Sequence, residues 1–152
     1  MIGINMSVLG IFYIVYFLSA MLITSKIQNA GGLNEVTVST SGNEKKVSIP
    51  AKPDGKGSSI NGGELLFLSL ATCFCNDVYR EAAKRRMTVT SVTVDVSGEF
   101  GKEGDAGSNI TYRVKVDAPG HSQKEIEDLI VFVDRIAEVH NTLRKGVEVK
   151  IV

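Results

Sequence analysis

Apolar and polar residues alternate with period two in several stretches of this chain, and follow a helical period in two others. Residues 22–28 (LITSKIQ) and 34–40 (NEVTVST) alternate around the turn residues NAGG at 29–32, the pattern of half-buried strands joined by a tight loop. KKVSI (45–49) follows the turn residues SGN, which predicts a hairpin over 34–49. After a Pro/Gly/Ser-rich loop at 50–63, the alternation returns in TVTSVTVDVSGEF (88–100) and SNITYRVKVDA (108–118). A glycine-rich turn separates these two runs and predicts a second hairpin. GVEVKIV (146–152) predicts a last strand.

Two helices separate these groups. The first opens at NGGE, where Asn61 can cap the free backbone N–H groups and Glu64, three residues later, completes a capping box. It extends to about Arg86, and KRR (84–86) complements the negative end of the helix dipole. The second opens at SQKE with the same box from Ser122 and Glu125. Its apolar positions Ile126, Leu129, Ile130, Val133, Ile136 and Ala137, together with His140, fall on one stripe. Strands, helix, hairpin, helix and strand in that order predict an α+β fold with mostly antiparallel sheet.

The N-terminus departs from this pattern. Residues 1–25 carry no charge, and VLGIFYIVYFLSAMLIT (8–24) is a nearly unbroken apolar run of 17. A spanning helix needs about 20 such residues, with roughly 17 as a lower limit. A secretory signal would place basic residues before the run, and none is present. Residues 1–20 therefore read as a membrane anchor, as an extension dispensable to a protein translated from Met21, or as a signal or packed helix. If the run spans a membrane, Lys26 beyond it favours a cytoplasmic domain.

With 43% apolar residues, the 152-residue chain can bury a core. Seventeen basic and seventeen acidic residues leave no net charge, which removes the basic face expected of a nucleic-acid binder. Two cysteines do not make a disulfide scaffold, so a reducing compartment, the cytoplasm, is expected.

Those cysteines, Cys73 and Cys75, lie two positions apart in LATCFCNDVYR. Residues i and i+2 of a helix point about 200° apart, so the two cannot easily join in a disulfide or share a metal ion. Cys75 shares its side with Leu68, Ala71, Val78 and Ala82 and reads as packing. Cys73 shares its side with Asn76, Asp77 and Arg80 as well as Leu66 and Leu70, which suits a thiol at the floor of a cleft. His140 on its apolar stripe reads as a core histidine or a group that tunes a thiol. His121, before a capping serine, reads as solvated. These residues make no recognisable metal site.

The stretch NGGELLFLSLATCFCNDVYREAAKRRMTVTSVTVDVSGEF (61–100) resembles the OsmC/Ohr superfamily of osmotically induced and organic-hydroperoxide-resistance proteins. VHNTLRKGVEVKIV (139–152) resembles the second hallmark of that family, a Cys-Pro-Val-His-x-Thr-Leu stretch followed by Gly-Val-x-Val. The resemblance covers residues 21–152 and makes Met21 a natural start. It implies an intertwined homodimer, with two central helices wrapped by mostly antiparallel sheets and the active site at the dimer interface. It also implies a thiol hydroperoxide reductase that needs no metal or other cofactor, only a hydroperoxide and an external thiol reductant as small-molecule partners. Cys73 matches the attacking cysteine, Glu64 the glutamate of many members, and His140 the histidine of the second motif. The resolving-cysteine position is Ala137, followed by Glu138 where the family has proline. No arginine precedes Arg80 to hold the thiolate, which leaves Lys45, Lys46 or Lys56 as the N-terminal cations. The expectation is a single-cysteine enzyme resolved by an outside thiol. Its alternative is a non-catalytic dimer that binds a small apolar ligand or partner in the interface cleft.

Overall fold

The structure is a computed structural model that describes residues 20–152. Most of the apolar N-terminal run lies outside the described residues, and its last residues lead into a strand. No described helix is long and apolar enough to cross a membrane. The chain divides after Ser59 into two compact units.

The first unit is a three-stranded antiparallel sheet of β1 (Ile23–Ala30), β2 (Leu33–Thr40) and β3 (Asn43–Lys46). Its register follows from its turns. Gly31 and Gly32 both have positive φ, as do Ser41 and Gly42, so each hairpin closes through two residues in the geometry that matches strand twist. The second turn brings Asn43 opposite Thr40. The third strand therefore starts earlier than the 45–49 expected from alternation, and Val47 adds one further hydrogen bond, to the Val36 carbonyl. Asn34 ties the loop beyond it, its Nδ2 donating to the carbonyls of Ile49 and Gly57 at 3.1 and 3.2 Å.

The second unit holds α1 (Gly62–Lys84), the hairpin β4 (Ser91–Glu99) and β5 (Ser108–Asp117), α2 (Gln123–Ile136) and α3 (Glu138–Lys145). Both predicted capping boxes form. Asn61 Oδ1 accepts from the Glu64 N–H at 2.9 Å while Glu64 Oε2 accepts from the Asn61 N–H at 2.7 Å. Ser122 and Glu125 repeat the exchange at α2. In the hairpin Val92, Val94 and Val96 stand opposite Val116, Val114 and Tyr112, so one face is apolar and packs on α1 and α2. The core joins Phe74, Val78 and Ala82 of α1 to Val116, Ala118, Ile126, Leu129, Val133 and Ala137. At Gly98 the register shifts, and an added Cβ would lie 2.7 Å from Phe67 Cζ, so any larger residue there would have to displace that ring.

Two expectations are corrected. The inward stripe is as read, with Ile126, Leu129, Val133, Ala137 and His140 all buried, but it is not one helix. At Ala137 φ −59° and ψ 108° leave the helical region, and Asn141 Nδ2 donates to the freed Arg135 carbonyl at 3.0 Å. Residues 147–152 form no strand among the described residues, and Val149, Ile151 and Val152 are fully exposed. Alternation gives a segment two faces but supplies no sheet edge to pair with.

Candidate functional site

The buried line of α1 passes through Leu70, Phe74, Asp77, Val78, Glu81 and Ala82. Phe74, completely buried, is the residue between the two cysteines, so each thiol flanks the core about 100° to either side. Both are free and half-buried. Cys75 borders a shallow surface pocket with Ala71, Thr72, Asn76 and Val94. The fully packed position expected for Cys75 belongs to Phe74, because the apolar stripe is centred one residue earlier.

Cys73 lies on the other flank, where α3 begins. Its Sγ is 3.8 Å from Asp77 Oδ2 and 3.9 Å from Glu138 Oε2, distances at which a thiol donates weakly. The break at Ala137 gives α3 a free N-terminus with no side-chain cap, and the backbone N–H groups of Val139 and Glu138 act on the sulfur. Two sets of influences compete. Burial pushes the Cys73 thiol up, and the carboxylates of Asp77 and Glu138 add to this, while those two N–H groups favour the thiolate. The upward influences prevail.

Asp77 is itself buried, and burial together with the Glu138 charge holds its carboxyl above the usual range, against the pull of Arg80. Arg80 Nη1 pairs with Asp77 Oδ1 at 2.8 Å, Nε donates to Glu81 Oε1 at 3.2 Å, and Nη2 lies 3.8 Å from Glu138 Oε1. The cation beside the thiol thus comes from its own helix. Lys45, Lys46 and Lys56 belong to the first unit. Sequence spacing carried part of this group, since Asp77 and Arg80 follow Cys73 by four and seven residues on one helix face. Glu138 had no local signal. Cys73, Asp77 and Glu138 also place three ligand atoms within 4.8 Å of one another, a donor set of one thiol and two carboxylates that includes neither histidine nor Cys75. The positive charge at that place is Arg80.

His140 is buried against aromatic rings, with centroids 4.8 Å from Tyr112 and 5.6 Å from Phe74, both edge-on. The sulfur is acted on by groups of Asp77, Glu138 and Val139, while the ring of His140 packs on Phe74 and Tyr112. Burial and the nearby Arg144 charge lower its pKa, with Asp134 opposing. Glu64 is spent on the capping box and is exposed. His121 is less solvated than expected, 23% exposed with Nδ1 3.6 Å from Glu125 Oε1.

An antiparallel hairpin packed on a long helix, with a half-buried thiol at the free N-terminus of another helix, defines an α+β protein built around one candidate thiol. The family model for OsmC-like protein matches residues 55–152, well over half of the chain and the whole of the second unit, and the chain belongs to that family. Solved structures share the fold. An OsmC-like protein from Mycoplasma pneumoniae superimposes with TM-score 0.58 at 20% identity, over 82% of this chain and 87% of that one. An organic hydroperoxide resistance protein OsmC from Legionella pneumophila gives 0.51 at 22% identity, over 88% and 95%. One from Elizabethkingia anophelis gives 0.52 at 21%, over 89% and 95%. No curated protein matches the chain in sequence.

Proposed function

We propose that the protein is a thiol-dependent hydroperoxide reductase of the OsmC-like type, with Cys73 as its one reactive cysteine and an external thiol as resolver. The observation that carries this reading is the sulfur's place at the free N-terminus of α3, with the Glu138 and Val139 N–H groups acting on it. Such donors stabilise a thiolate and then the developing charge of the reaction. Relatives in fold that are named for organic hydroperoxide resistance support the substrate class.

In this mechanism Asp77 Oδ2 receives the thiol proton as the sulfur attacks the distal oxygen of the hydroperoxide. The S–O bond forms and the O–O bond breaks. The alkoxide takes up the proton and leaves as the alcohol, and the sulfur is oxidised to sulfenic acid. One external thiol condenses with it, releasing water and forming a mixed disulfide. A second thiol displaces Cys73 and leaves as the oxidised disulfide of the reductant. Ala137, at the resolving position, takes no part. Because the thiol's pKa stands above its ordinary value, the rate rises with pH through neutrality and beyond.

The same upward shift favours a second reading, a non-catalytic OsmC-like dimer that binds a small apolar ligand or partner in the interface cleft. Brief hydroperoxide exposure with a sulfenic-acid trap, followed by mass spectrometry, separates the two. The enzyme places the adduct on Cys73, and peroxide consumption is lost in Cys73→Ser and kept in Cys75→Ser. An unmodified Cys73, or rates that neither substitution changes, leaves the binding reading.

A further inference from the structure

The side chains of Cys73, Asp77, Arg80 and Glu138 form a closed ring of contacts. The thiol donates toward Asp77 Oδ2 at 3.8 Å and toward Glu138 Oε2 at 3.9 Å. The other oxygen of each carboxylate faces Arg80, with Asp77 Oδ1 2.8 Å from Nη1 and Glu138 Oε1 3.8 Å from Nη2. Each carboxylate therefore stands between the same guanidinium and the same sulfur.

The guanidinium is itself fixed. Its Nε donates to Glu81 Oε1 at 3.2 Å, and Lys84 Nζ donates to the same oxygen at 2.6 Å. Glu81 is buried. A guanidinium presents its N–H groups in a rigid planar fork, so holding Nε on a buried acceptor decides where Nη1 and Nη2 point. The two targets of the fork differ. Asp77 is buried on the same helix, whereas Glu138 opens α3 with its side chain 69% exposed. Two carboxylates beside one sulfur repel each other, and nothing but the fork opposes the departure of Glu138 into water. The first turn of α3 has no side-chain cap, and its Glu138 and Val139 N–H groups act on the sulfur.

We propose that Arg80 is a positioning residue for Cys73, whose fork turns Asp77 Oδ2 toward the thiol and keeps Glu138, and with it the first turn of α3, against the sulfur. Its chemical purpose rests on the hydroperoxide reductase reading: Oδ2 stays ready for the thiol proton, and the two N–H groups stay in reach of the thiolate. Arg80 acts through Asp77 and Glu138 rather than on the reacting atoms.

A double-mutant cycle on thiol reactivity tests this, in a chain carrying Cys75→Ser so that one thiol responds. With Arg80 present, Glu138→Gln should speed iodoacetamide alkylation at pH 8 by about two- to fivefold. In Arg80→Gln the same substitution should leave the rate within about 1.5-fold, because the carboxylate has already left the sulfur. An Arg80 that merely screened the carboxylates would give the opposite result, a larger Glu138 effect in its absence. A merely structural role would leave the effect unchanged. Should Arg80→Gln not fold, Arg80→Lys carries the test: it keeps a charge beside buried Asp77 but no fork, and it too should cancel the Glu138 effect. An equal or larger effect without Arg80, or no effect in its presence, overturns the proposal. Alkylation needs no peroxide, so the cycle can succeed where the reductase reading fails. Where that reading holds, Arg80→Gln should slow peroxide consumption at least about tenfold, and an unchanged rate overturns the proposal as well.

Discussion

At Cys73 the chemistry is decided by neighbours of opposite effect. Two backbone N–H groups favour the thiolate, and burial with two carboxylates opposes it. Glu138 is the carboxylate easiest to remove, since its side chain is 69% exposed and its only ion pair among the described residues is the 3.8 Å contact to Arg80. Glu138→Gln is therefore expected to lower the thiol's pKa and speed iodoacetamide alkylation at pH 8 by about two- to fivefold, the size of one screened charge near 4 Å. An alkylation rate against pH profile for both proteins checks this, and an unchanged midpoint would show that Glu138 does not act on the sulfur. His140 gives a prediction of opposite kind. Its folded pKa is depressed from 6.5, so below that pH the unfolded chain takes up a proton that the native state refuses, and stability falls with pH. Melting temperatures between pH 7 and 5 should decline less steeply in His140→Phe than in the parent. Cys73 was legible in the sequence because helical geometry separates it from Cys75, and Asp77 and Arg80 share its helix face. Glu138 was not, because it meets the thiol only through packing of α3 on α1, 65 residues away in sequence.

At the level of elements, chemistry local to a few residues was the easiest to read. Both capping boxes, both glycine-bearing hairpin turns of the first unit and the valine face of β4 and β5 follow from neighbours within a few positions. Asn61→Ala should consequently destabilise the protein by about 1 kcal/mol, read as a lower urea midpoint with unchanged slope, as for other N-cap deletions. The break between α2 and α3 was not legible. Ala137 is a good helix former and keeps the stripe intact on both sides, so periodicity runs through it without a mark. What ends α2 is the Asn141 side chain reaching back to the Arg135 carbonyl, and the reward is a second helix N-terminus at the thiol.

For the whole molecule, the sequence pattern outruns what one chain can satisfy. Val147, Val149 and Ile151 alternate with polar residues and lie exposed, and Ile23 and Ile27 of β1 are more than half exposed. We propose that a second copy covers them, as the intertwined homodimer implied by the family resemblance requires, with residues 21–152 acting as one OsmC-like domain. Deleting residues 147–152 should shift sedimentation from dimer to monomer, and a full-length chain that sediments as a monomer would refute the assignment. The unpaired tail also has a consequence in mass action. If native strands are completed only between copies, folding and association are one equilibrium, and the melting temperature must climb with protein concentration. Dilution alone, with no denaturant and no mutation, would then begin to unfold this chain.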